Sequence, residues 1–364
     1  MAIRICLFLL LLSTVDTLAQ DTNYVTFTAI NGDNVYKILQ RNGLTEVGCF
    51  EKFVELNAGI LGKNNTLIIG QKYKLPDKSS LQPDTIKEIE ISPIRNKPKK
   101  HTILADTIKV IQSLNLPVKM ITEPLFGKAL EHVDIIDQRL KGAIFYLVSG
   151  HGGPDPGAMG KIGNNILCED EYAYDVTLRF GRELLTHGAK VYFIVRDPHD
   201  GIRNELYLKN SKDEVCYPNK PIPLNQVERL KQRVDAINTL NRNETPGSYK
   251  RCIEIHVDAR DTKKNIDIFF YYNFGSKFGE RLATTMRNSI ERKYQLRQPG
   301  RGYSGDVETR HLYMLEKTIP TAVFIELGNI NHARDQQRLI FENNRQAIAR
   351  WMSDGVIEDF QKSK

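Results

Sequence analysis

The sequence predicts an α/β fold, a three-layer sandwich with a central, mostly parallel or mixed sheet and helices on both faces. Short apolar runs rich in β-branched and aromatic residues, which are typical of buried strands, recur from about residue 141 onward. Stretches with apolar residues at helical spacing lie between these runs, and this alternation is typical of layered α/β domains. The 364 residues, 41% of them hydrophobic and 26% charged, suffice for a sizeable core and for more than one domain.

The alternating part, residues 141–360, is the predicted main domain. Gly188 provides a C-terminal stop for its first helix. The predicted strands cover residues 143–148, 191–195, 251–256, 266–272 and 321–326, and the predicted helices cover residues 172–186, 224–240, 277–292 and 336–353.

A smaller unit, residues 24–76, precedes the main domain. A strand, two helices and a second strand are predicted in that order, which gives a small βααβ domain. Residues 77–101 are polar, contain three prolines and are predicted to be a linker. Residues 102–140 form a lead-in segment, with helical spacing over 104–114 and a strand near 133–136, and we expect it to pack on the main sheet.

The first 19 residues have the composition of a secretory signal peptide. Arg4 lies beside a short apolar core, and small residues precede an expected cut after Ala19. A buried N-terminal helix is the alternative. No later apolar run is long enough to cross a bilayer, so we expect no membrane span and a secreted or periplasmic protein after signal removal.

The cysteines beyond the signal peptide permit disulfides in an oxidising compartment. Four cysteines allow three pairings, and the sequence does not choose between them. Cys216 and Cys252 bracket one insertion-like segment, which favours their pairing. The four cysteines are Cys49, Cys168, Cys216 and Cys252.

Four polar residues at the ends of predicted elements suggest a metal site. His151 follows the first strand of the main domain in a glycine-rich loop, at the end of the sheet where ligands bind. Glu169 precedes a helix, and His256 and Glu326 close two other strands. Two imidazoles and a carboxylate are a common ligand set for catalytic Zn²⁺, and a second carboxylate can serve as general base. We therefore predict His151, Glu169 and His256 as zinc ligands and Glu326 as the catalytic base.

The residues around these four form an ordered series of landmarks. They are Gly150-His151-Gly152-Gly153-x-Asp155-x-Gly157-Ala158, Glu169 before a helix, Gly188-Ala189-Lys190-Val191 leading to Arg196, Ile255-His256-x-Asp258-Ala259, Phe324-Ile325-Glu326-Leu327-Gly328, and Asp335. With them, the segment from Ile144 to Val356 resembles the zinc-dependent N-acetylmuramoyl-L-alanine amidases. The resemblance implies a hydrolase that cuts the amide between the lactyl group of N-acetylmuramic acid and L-alanine in peptidoglycan.

The small N-terminal domain resembles a lysin motif (LysM), a module that binds glycans containing N-acetylglucosamine. The likeness is carried by Gly32-Asp33-Asn34, Leu56-Asn57, Gly70-Gln71 and Leu75-Pro76. It implies that this domain binds the glycan strands of the cell wall. The alternative is a domain that only shields or positions the enzyme.

Several roles stay open at this point. Glu171 could replace Glu169 as a ligand. Counting back along the helix from Gly188, however, the position of the family's glutamate falls on Glu169. Glu254 departs from the family, which more often has a small polar residue there. It shares a strand face with His256, so it could orient that imidazole, crowd the site or pair elsewhere. Arg196 and Arg233 either hold the core together or bind a stem-peptide carboxylate, and we expect structural or exposed roles for His187, His199, His311 and His332.

The charge of the chain excludes little. A formal net charge of +7 suits an acidic polymer such as peptidoglycan and equally an ordinary solvated surface. No basic-aromatic pattern indicates nucleic acid.

Two other functions fit parts of the sequence: a zinc peptidase that cuts within the stem peptide, and a cell-wall binder without activity. A further alternative is a nucleophilic pair of Cys252 and His256, which would use the same histidine that we assign to zinc. The sequence does not indicate whether an activator protein is needed.

Overall fold

A computed structural model describes residues 24–30, 35–42, 44, 49–62, 67–77, 119–260 and 265–364. The chain divides into two compact units, Met1–Thr102 and Ile103–Lys364. The predicted signal peptide, the predicted linker after Asp77 and the helical spacing at 104–114 lie outside the described residues. Within the described part, no helix has the length and apolar character needed to cross a membrane.

The N-terminal unit has the predicted order of strand, helix, helix and strand. The elements are β1 (Thr26–Thr28), α1 (Val35–Arg41), α2 (Cys49–Leu56) and β2 (Lys72–Lys74), and the two strands pair antiparallel. Phe53 and Tyr73 are fully buried in its apolar core. Asn57, 1% exposed, ties the end of α2 to β2: its amide donates to the carbonyls of Phe53 at 2.7 Å and Lys74 at 2.8 Å. Its oxygen also accepts the Lys74 N–H, so Asn57 fixes how α2 meets the sheet.

Among its described residues, the second unit contains a six-stranded mixed sheet, a three-stranded sheet, two two-stranded sheets and six α-helices. Its strands are β3 (Met120–Thr122), β4 (His132–Asp134), β5 (Ile144–Ser149), β6 (Met159–Ile162), β7 (Asn165–Cys168), β8 (Lys190–Phe193), β9 (Val195–Arg196), β10 (Val215–Cys216), β11 (Lys220–Pro221), β12 (Lys250–Asp258), β13 (Phe269–Tyr272), β14 (Val307–Thr309) and β15 (Thr321–Asn329). Its helices are α3 (Glu169–Thr186), α4 (Gln226–Arg242), α5 (Lys277–Arg297), α6 (Tyr313–Lys317), α7 (Ala333–Ile340) and α8 (Glu342–Gln361).

The central sheet has the strand order β14-β13-β15-β12-β5-β8. Strands β15, β12, β5 and β8 are parallel, whereas β13 is antiparallel to β15 and parallel to β14. Ile255 of β12 lies opposite Ser149 of β5, and His256 lies opposite Glu326 of β15. The carboxyl ends of these three central strands therefore meet at one edge, which is where the candidate site lies.

Helices cover both faces of this sheet, as the sequence predicts. On one face, Tyr146 and Cys252 share an apolar cluster with Ile237 of α4 and Met314 of α6. On the other face, α3 packs so closely that a Cβ at Gly181 would overlap the ring of Phe193. Helix α8 packs against both α3 and α5 on that side. The predicted three-layer sandwich is confirmed.

Several predicted boundaries are wrong. Helix α3 begins at Glu169 rather than near Tyr172, and β12 and β15 continue past His256 and Glu326. The predicted C-terminal helix is two helices, because Phe341 adopts extended backbone between them. The strand predicted near 133–136 is β4, which pairs with β3 in a separate two-stranded sheet and not with the central one.

The predicted Cys216–Cys252 disulfide is wrong. Cys168, Cys216 and Cys252 are free, buried thiols. Cys216 and Cys252 belong to the apolar cluster between the sheet and α4, where they act as small hydrophobic side chains. Burial raises the pKa of Cys216 to about 11 and that of Cys252 well above its ordinary value, which disfavours a thiolate nucleophile. The Cys49 side chain lies outside the described residues.

Candidate metal and catalytic site

The loop after β5 is shaped by glycines that let other side chains approach. A Cβ at Gly150 would overlap the imidazole of His256. Gly157 has a φ of +68°, and a Cβ there would lie 2.6 Å from Glu169 Oε2 and 2.7 Å from the ring of His151. His151 itself has a φ of +57°, a left-handed conformation that is costly for a residue other than glycine. The glycines of the motif therefore make the space in which two imidazoles and a carboxylate converge.

Three of the predicted residues come together at the edge of the sheet. One ligand atom from each of His151, Glu169 and His256 lies within 4.8 Å of the others. Glu169 Oε1 is 2.8 Å from His256 Nδ1, and Glu169 Oε2 is 3.3 Å from His151 Nε2. The backbone N–H groups of Ala158 and Val257 also donate to this carboxylate, at 2.7 and 3.0 Å. Glu169 is thus held at the first turn of α3, where a negative charge suits the helix dipole.

The ring of His151 is oriented from behind by a carboxylate. Its Nδ1 lies 2.8 Å from Asp155 Oδ2, and Asp155 Oδ1 accepts the Gly157 N–H at 3.1 Å. Arg229 of α4 makes a short ion pair with the same Asp155 carboxylate. Because Asp155 engages Nδ1, Nε2 of His151 is the nitrogen directed at Glu169.

The electrostatics of the cluster follow from burial and from these contacts. Burial raises the pKa of Glu169, but hydrogen bonds from His151 and His256 outweigh it and hold this pKa well below its ordinary value. Burial lowers the pKa of His256, but hydrogen bonds to Glu169 and Glu254 raise it to about 10. The nitrogen and oxygen atoms that make these hydrogen bonds between Glu169 and the two histidines are also the atoms that would bind a cation.

Glu254 and Arg233 form a second layer beneath His256. Glu254 is 2% exposed, and its Oε1 lies 3.3 Å from His256 Nε2, on the side of the ring away from Glu169. Burial lowers the pKa of Arg233, and the charge of Glu254 opposes this effect. Arg233 is also 2% exposed, and it donates to the backbone carbonyl of His151. Glu254 Oε2 and Arg233 Nε are both buried without a hydrogen-bond partner, so the two groups compensate each other mainly through charge.

The fourth predicted residue, Glu326, lies beside this cluster. It is 7% exposed and pairs in register with His256 across β12 and β15. Its Oε2 is buried without a hydrogen-bond partner. Burial raises the pKa of Glu326 to about 8, with His256 acting in the opposite direction and Glu169 adding to the rise. A cation held by the neighbouring cluster would lower this pKa and leave Glu326 ionised, with its unpartnered oxygen able to accept a proton.

A cavity of about 370 Å³ opens onto all four residues. Its walls include Arg229, Arg233 and Glu254, together with Arg310 and Tyr313 from the segment that follows β14. His187, His199, His311 and His332 do not line it. The volume falls in the range of small-ligand sites.

The donor set fits a zinc ion. Two imidazole nitrogens and one carboxylate, with ligand atoms within 4.8 Å of one another, are the elements of a three-ligand catalytic zinc site. His256 Nε2 faces Glu254 at 3.3 Å, whereas Nδ1 faces Glu169, so Nδ1 would be the ligand atom of this ring. His151 Nε2 and Glu169 Oε2 would complete the set.

The other residues considered from the sequence lie elsewhere. Glu171 pairs with Arg203 at 2.7 Å and accepts the Ser211 N–H, so its carboxylate is engaged away from the histidines. Arg196 donates to the carbonyl of Pro218 and does not line the cavity. Asp335 is fully buried and accepts backbone N–H groups from the end of β15 and from the start of the β13 segment, which is a structural role.

The N-acetylmuramoyl-L-alanine amidase family model matches residues 146–358 of the chain. The chain belongs to this amidase family. The matched segment contains His151, Glu169, His256 and Glu326, and it spans the central sheet from β5 to α8.

Solved amidase structures resemble this part of the chain. The CwlD amidase from Clostridioides difficile, in complex with the GerS lipoprotein, is 19% identical over 60% of this chain and 99% of that chain, with a TM-score of 0.45. AmiC2 of Nostoc punctiforme is 19% identical over 61% of this chain and 99% of that one, with a TM-score of 0.44. The catalytic domain of CwlV from Bacillus (Paenibacillus) polymyxa is 20% identical over 61% of this chain and 99% of that one, with a TM-score of 0.43. No curated protein matches the chain in sequence.

Sequence reasoning assigned no role to three residues of this amidase that shape its site. Asp155 was only a landmark, although its spacing of four residues from His151 was a usable signal for a carboxylate behind the imidazole. No sequence pattern indicated Arg229 or Arg310, because both lie too far along the chain from the predicted site residues to belong to a common motif. The structure also brings Arg233 and Glu254 into one buried layer, which their positions on a helix and a strand do not indicate.

Proposed function

We propose that this chain is a secreted or periplasmic, zinc-dependent N-acetylmuramoyl-L-alanine amidase. It hydrolyses the amide bond between the lactyl group of N-acetylmuramic acid and the L-alanine of peptidoglycan. Membership of the amidase family supports the reaction class. The observation that carries the finer assignment is the convergence of His151, Glu169 and His256 in a cavity that Glu326 also lines.

The chemistry divides between the metal and the chain's own carboxylate. Zinc, when bound, polarises the water and the carbonyl oxygen that it contacts. Glu326 takes a proton on its unpartnered Oε2 as water attacks the amide carbon. It then returns that proton to the L-alanine nitrogen, which must be protonated to leave. Because Glu326 is almost fully buried, this proton is exchanged with substrate in preference to bulk water.

The remaining residues of the site hold the ligands in place. Asp155 orients His151 through Nδ1, and Glu254 lies against Nε2 of His256. Each imidazole therefore has a carboxylate on the side away from the shared point. Such partners fix the tautomer and ring orientation of metal-binding histidines.

The proposal extends to the N-terminal part of the chain. Residues 1–19 direct export, and the 24–76 unit binds glycan strands as a LysM-like module. Support comes from the sequence of the first 19 residues and from the strand-helix-helix-strand order of the small unit. N-terminal sequencing of the protein recovered from the secreted or periplasmic fraction tests the first assignment, with Gln20 expected as the first residue. An intact Met1 in the cytoplasmic fraction would contradict it.

Digestion of purified muropeptides by the zinc-loaded protein tests the activity. Mass spectrometry should find free stem peptides that begin with L-alanine and glycans with an intact lactyl group. New termini inside the stem peptide would instead identify a peptidase. The Glu326→Ala variant should bind zinc normally and release no stem peptide, whereas His151→Ala should lose zinc. If the wild-type protein releases no product at all, the remaining interpretation is a cell-wall binder without activity.

A further inference from the structure

Arg310 is held at the wall of the cavity, beyond the metal-binding cluster. It follows β14, and its backbone N–H donates to the carbonyl of Tyr272 at 3.1 Å. Its guanidinium lies 5.0 Å from the ring centroid of Tyr271, a distance typical of a cation–π contact. The side chain is exposed and lines the same cavity as Glu326. Arg310 is thus positioned by its backbone and by an aromatic ring, with its charge open to the cavity.

A row of rings connects this arginine with the metal-binding cluster. The ring of Tyr271 lies 6.1 Å from that of Phe324, and Phe324 stacks on His256 with centroids 4.3 Å apart. The hydroxyl of Tyr271 accepts a hydrogen bond from Arg260 at 3.1 Å, which fixes the orientation of the ring under Arg310. The guanidinium of Arg310 therefore lies at the far end of a packed platform that begins at a predicted zinc ligand.

Arg310 differs from the two other arginines of the cavity. Arg229 is paired with Asp155, and Arg233 is buried and donates to the His151 carbonyl. The guanidinium of Arg310 makes no hydrogen bond or ion pair with any residue that the structure describes. It is therefore the arginine of this cavity that has donors available for a ligand.

The charges around Arg310 indicate which ligand it would take. Asp258, Glu254 and Glu326 also line the cavity, so a negatively charged substrate group would be repelled where it approaches them. A planar guanidinium, in contrast, matches a carboxylate with two parallel N–H donors. A carboxylate entering this cavity would find its favourable position at Arg310.

We propose that Arg310 forms a carboxylate-binding subsite that recognises the free α-carboxylate of the second residue of the stem peptide. This inference rests on the proposed amidase function. In peptidoglycan, the second residue is a glutamate linked through its side chain, so its α-carboxylate is either free or converted to a carboxamide. It is the nearest carboxylate to the scissile amide, because the carboxyl group of L-alanine is part of the next amide bond. Arg310 therefore distinguishes free from amidated stem peptides.

Two muramoyl peptides that differ only in this carboxylate or carboxamide provide the test. With the zinc-loaded full-length chain, kcat/KM should be about 10- to 100-fold higher for the carboxylate substrate, the range for one charge-assisted hydrogen-bonded contact. Arg310→Gln should remove most of this preference through a higher KM, while kcat/KM for the carboxamide changes by less than about threefold. Arg310→Lys should retain part of the preference, since it keeps the charge and loses the bidentate geometry.

A second arginine provides a matched control. Arg292 on α5 pairs with Glu358 at 2.7 Å on the surface, so Arg292→Gln removes one positive charge and should leave the preference unchanged. Equal rates for the two substrates in the wild-type protein would overturn the subsite while leaving the amidase function intact. An equal loss on both substrates in Arg310→Gln would also overturn it, because that result indicates a structural role. Failure of the wild-type protein to cleave either substrate would overturn the amidase function and the subsite together.

Discussion

Replacing Glu254 by glutamine removes the charge that compensates Arg233 while keeping an oxygen next to His256 Nε2. Arg233 and Glu254 are each 2% exposed, so neither charge is solvated. The substitution leaves a buried guanidinium whose remaining acceptor is the backbone carbonyl of His151. We therefore expect a loss of stability with little change in the packing of the histidine ring.

The magnitude follows from the geometry of the two groups. No hydrogen bond or ion pair joins them, and Arg233 Nε and Glu254 Oε2 are both unpartnered. Two unit charges beyond ion-pair distance attract by less than about 4 kcal/mol at an effective dielectric constant of about 20. Glu254→Gln should therefore lower the free energy of unfolding by about 2–3 kcal/mol, somewhat less than the loss on breaking a directly bonded buried pair.

Urea unfolding of the full-length chain in the presence of a chelator measures this effect without a contribution from bound metal. Trp351 is the single tryptophan and lies in α8 against Tyr294, with ring centroids 5.1 Å apart. Its fluorescence therefore reports on the unit that contains the site. Glu358→Gln, which breaks partly exposed ion pairs on the same helix, is the matched control and should cost less than about 1 kcal/mol.

A double-variant cycle distinguishes charge compensation from other causes. Arg233→Met combined with Glu254→Gln should be more stable than the sum of the two single losses predicts, because the unpaired guanidinium is gone. If Glu254→Gln loses less than about 0.5 kcal/mol, or if the two losses simply add, the buried charge pair is not what stabilises this layer.

Three further predictions concern other parts of the chain. Asp155→Asn should weaken zinc binding by about 10- to 100-fold, measured by competition with a chromophoric chelator, and an unchanged affinity would remove Asp155 from its orienting role. Burial raises the pKa of Asp267, but contacts with Arg301 and Arg338 outweigh burial and lower this pKa from 3.8 to about 2. The stabilisation that ionised Asp267 contributes is therefore present above about pH 4 and is lost as the pH falls through about 2. Asp267→Asn should therefore cost about 2 kcal/mol in chemical unfolding at pH 7 and almost nothing near pH 2, and a loss independent of pH would contradict the assignment. Asn57→Ala should reduce retention of the protein on insoluble peptidoglycan in a sedimentation assay without changing turnover of soluble muropeptides, and equal retention would argue against a glycan-binding role for the N-terminal unit.

The sequence predicts the layers of this fold well because the central strands are apolar on both sides. Strand β5 is buried at every position, and such runs are recognisable without knowing their neighbours. The β6–β7 hairpin was missed because its side chains are largely exposed; Met159 and Ile166 are 60% and 59% exposed. The break at Phe341 interrupts helical periodicity by backbone conformation alone, which the sequence pattern does not reveal.

The disulfide prediction failed for a related reason. The positions of Cys216 and Cys252 along the chain bracket a segment, but they do not determine how the side chains face each other. Both thiols point into the apolar cluster beneath α4, where they contribute packing. Chain spacing therefore gave no information on bonding geometry.

For the site, residue types and element ends were predictable, whereas the supporting contacts were not. His151, Glu169 and His256 stand out because they lie where strands and helices meet, and the structure brings their ligand atoms within 4.8 Å. Which nitrogen of each ring faces the common point depends on Asp155 and Glu254, and these contacts depend on side-chain positions that no spacing rule supplies. The same applies to Arg310, whose place in the cavity follows from the pairing of β13 with β14.

An X-ray anomalous difference map at the zinc edge, from crystals of the zinc-loaded protein, tests the central claim most directly. We expect a peak about 2.0–2.2 Å from His151 Nε2, a Glu169 carboxylate oxygen and His256 Nδ1, with Glu326 beside it and not bound to it. Zinc found only at one of the two other candidate groups of the described residues, Asp197, His199 and Asp213 or Asp170, Glu171 and Glu214, would contradict the account, as would the absence of a peak near the two histidines.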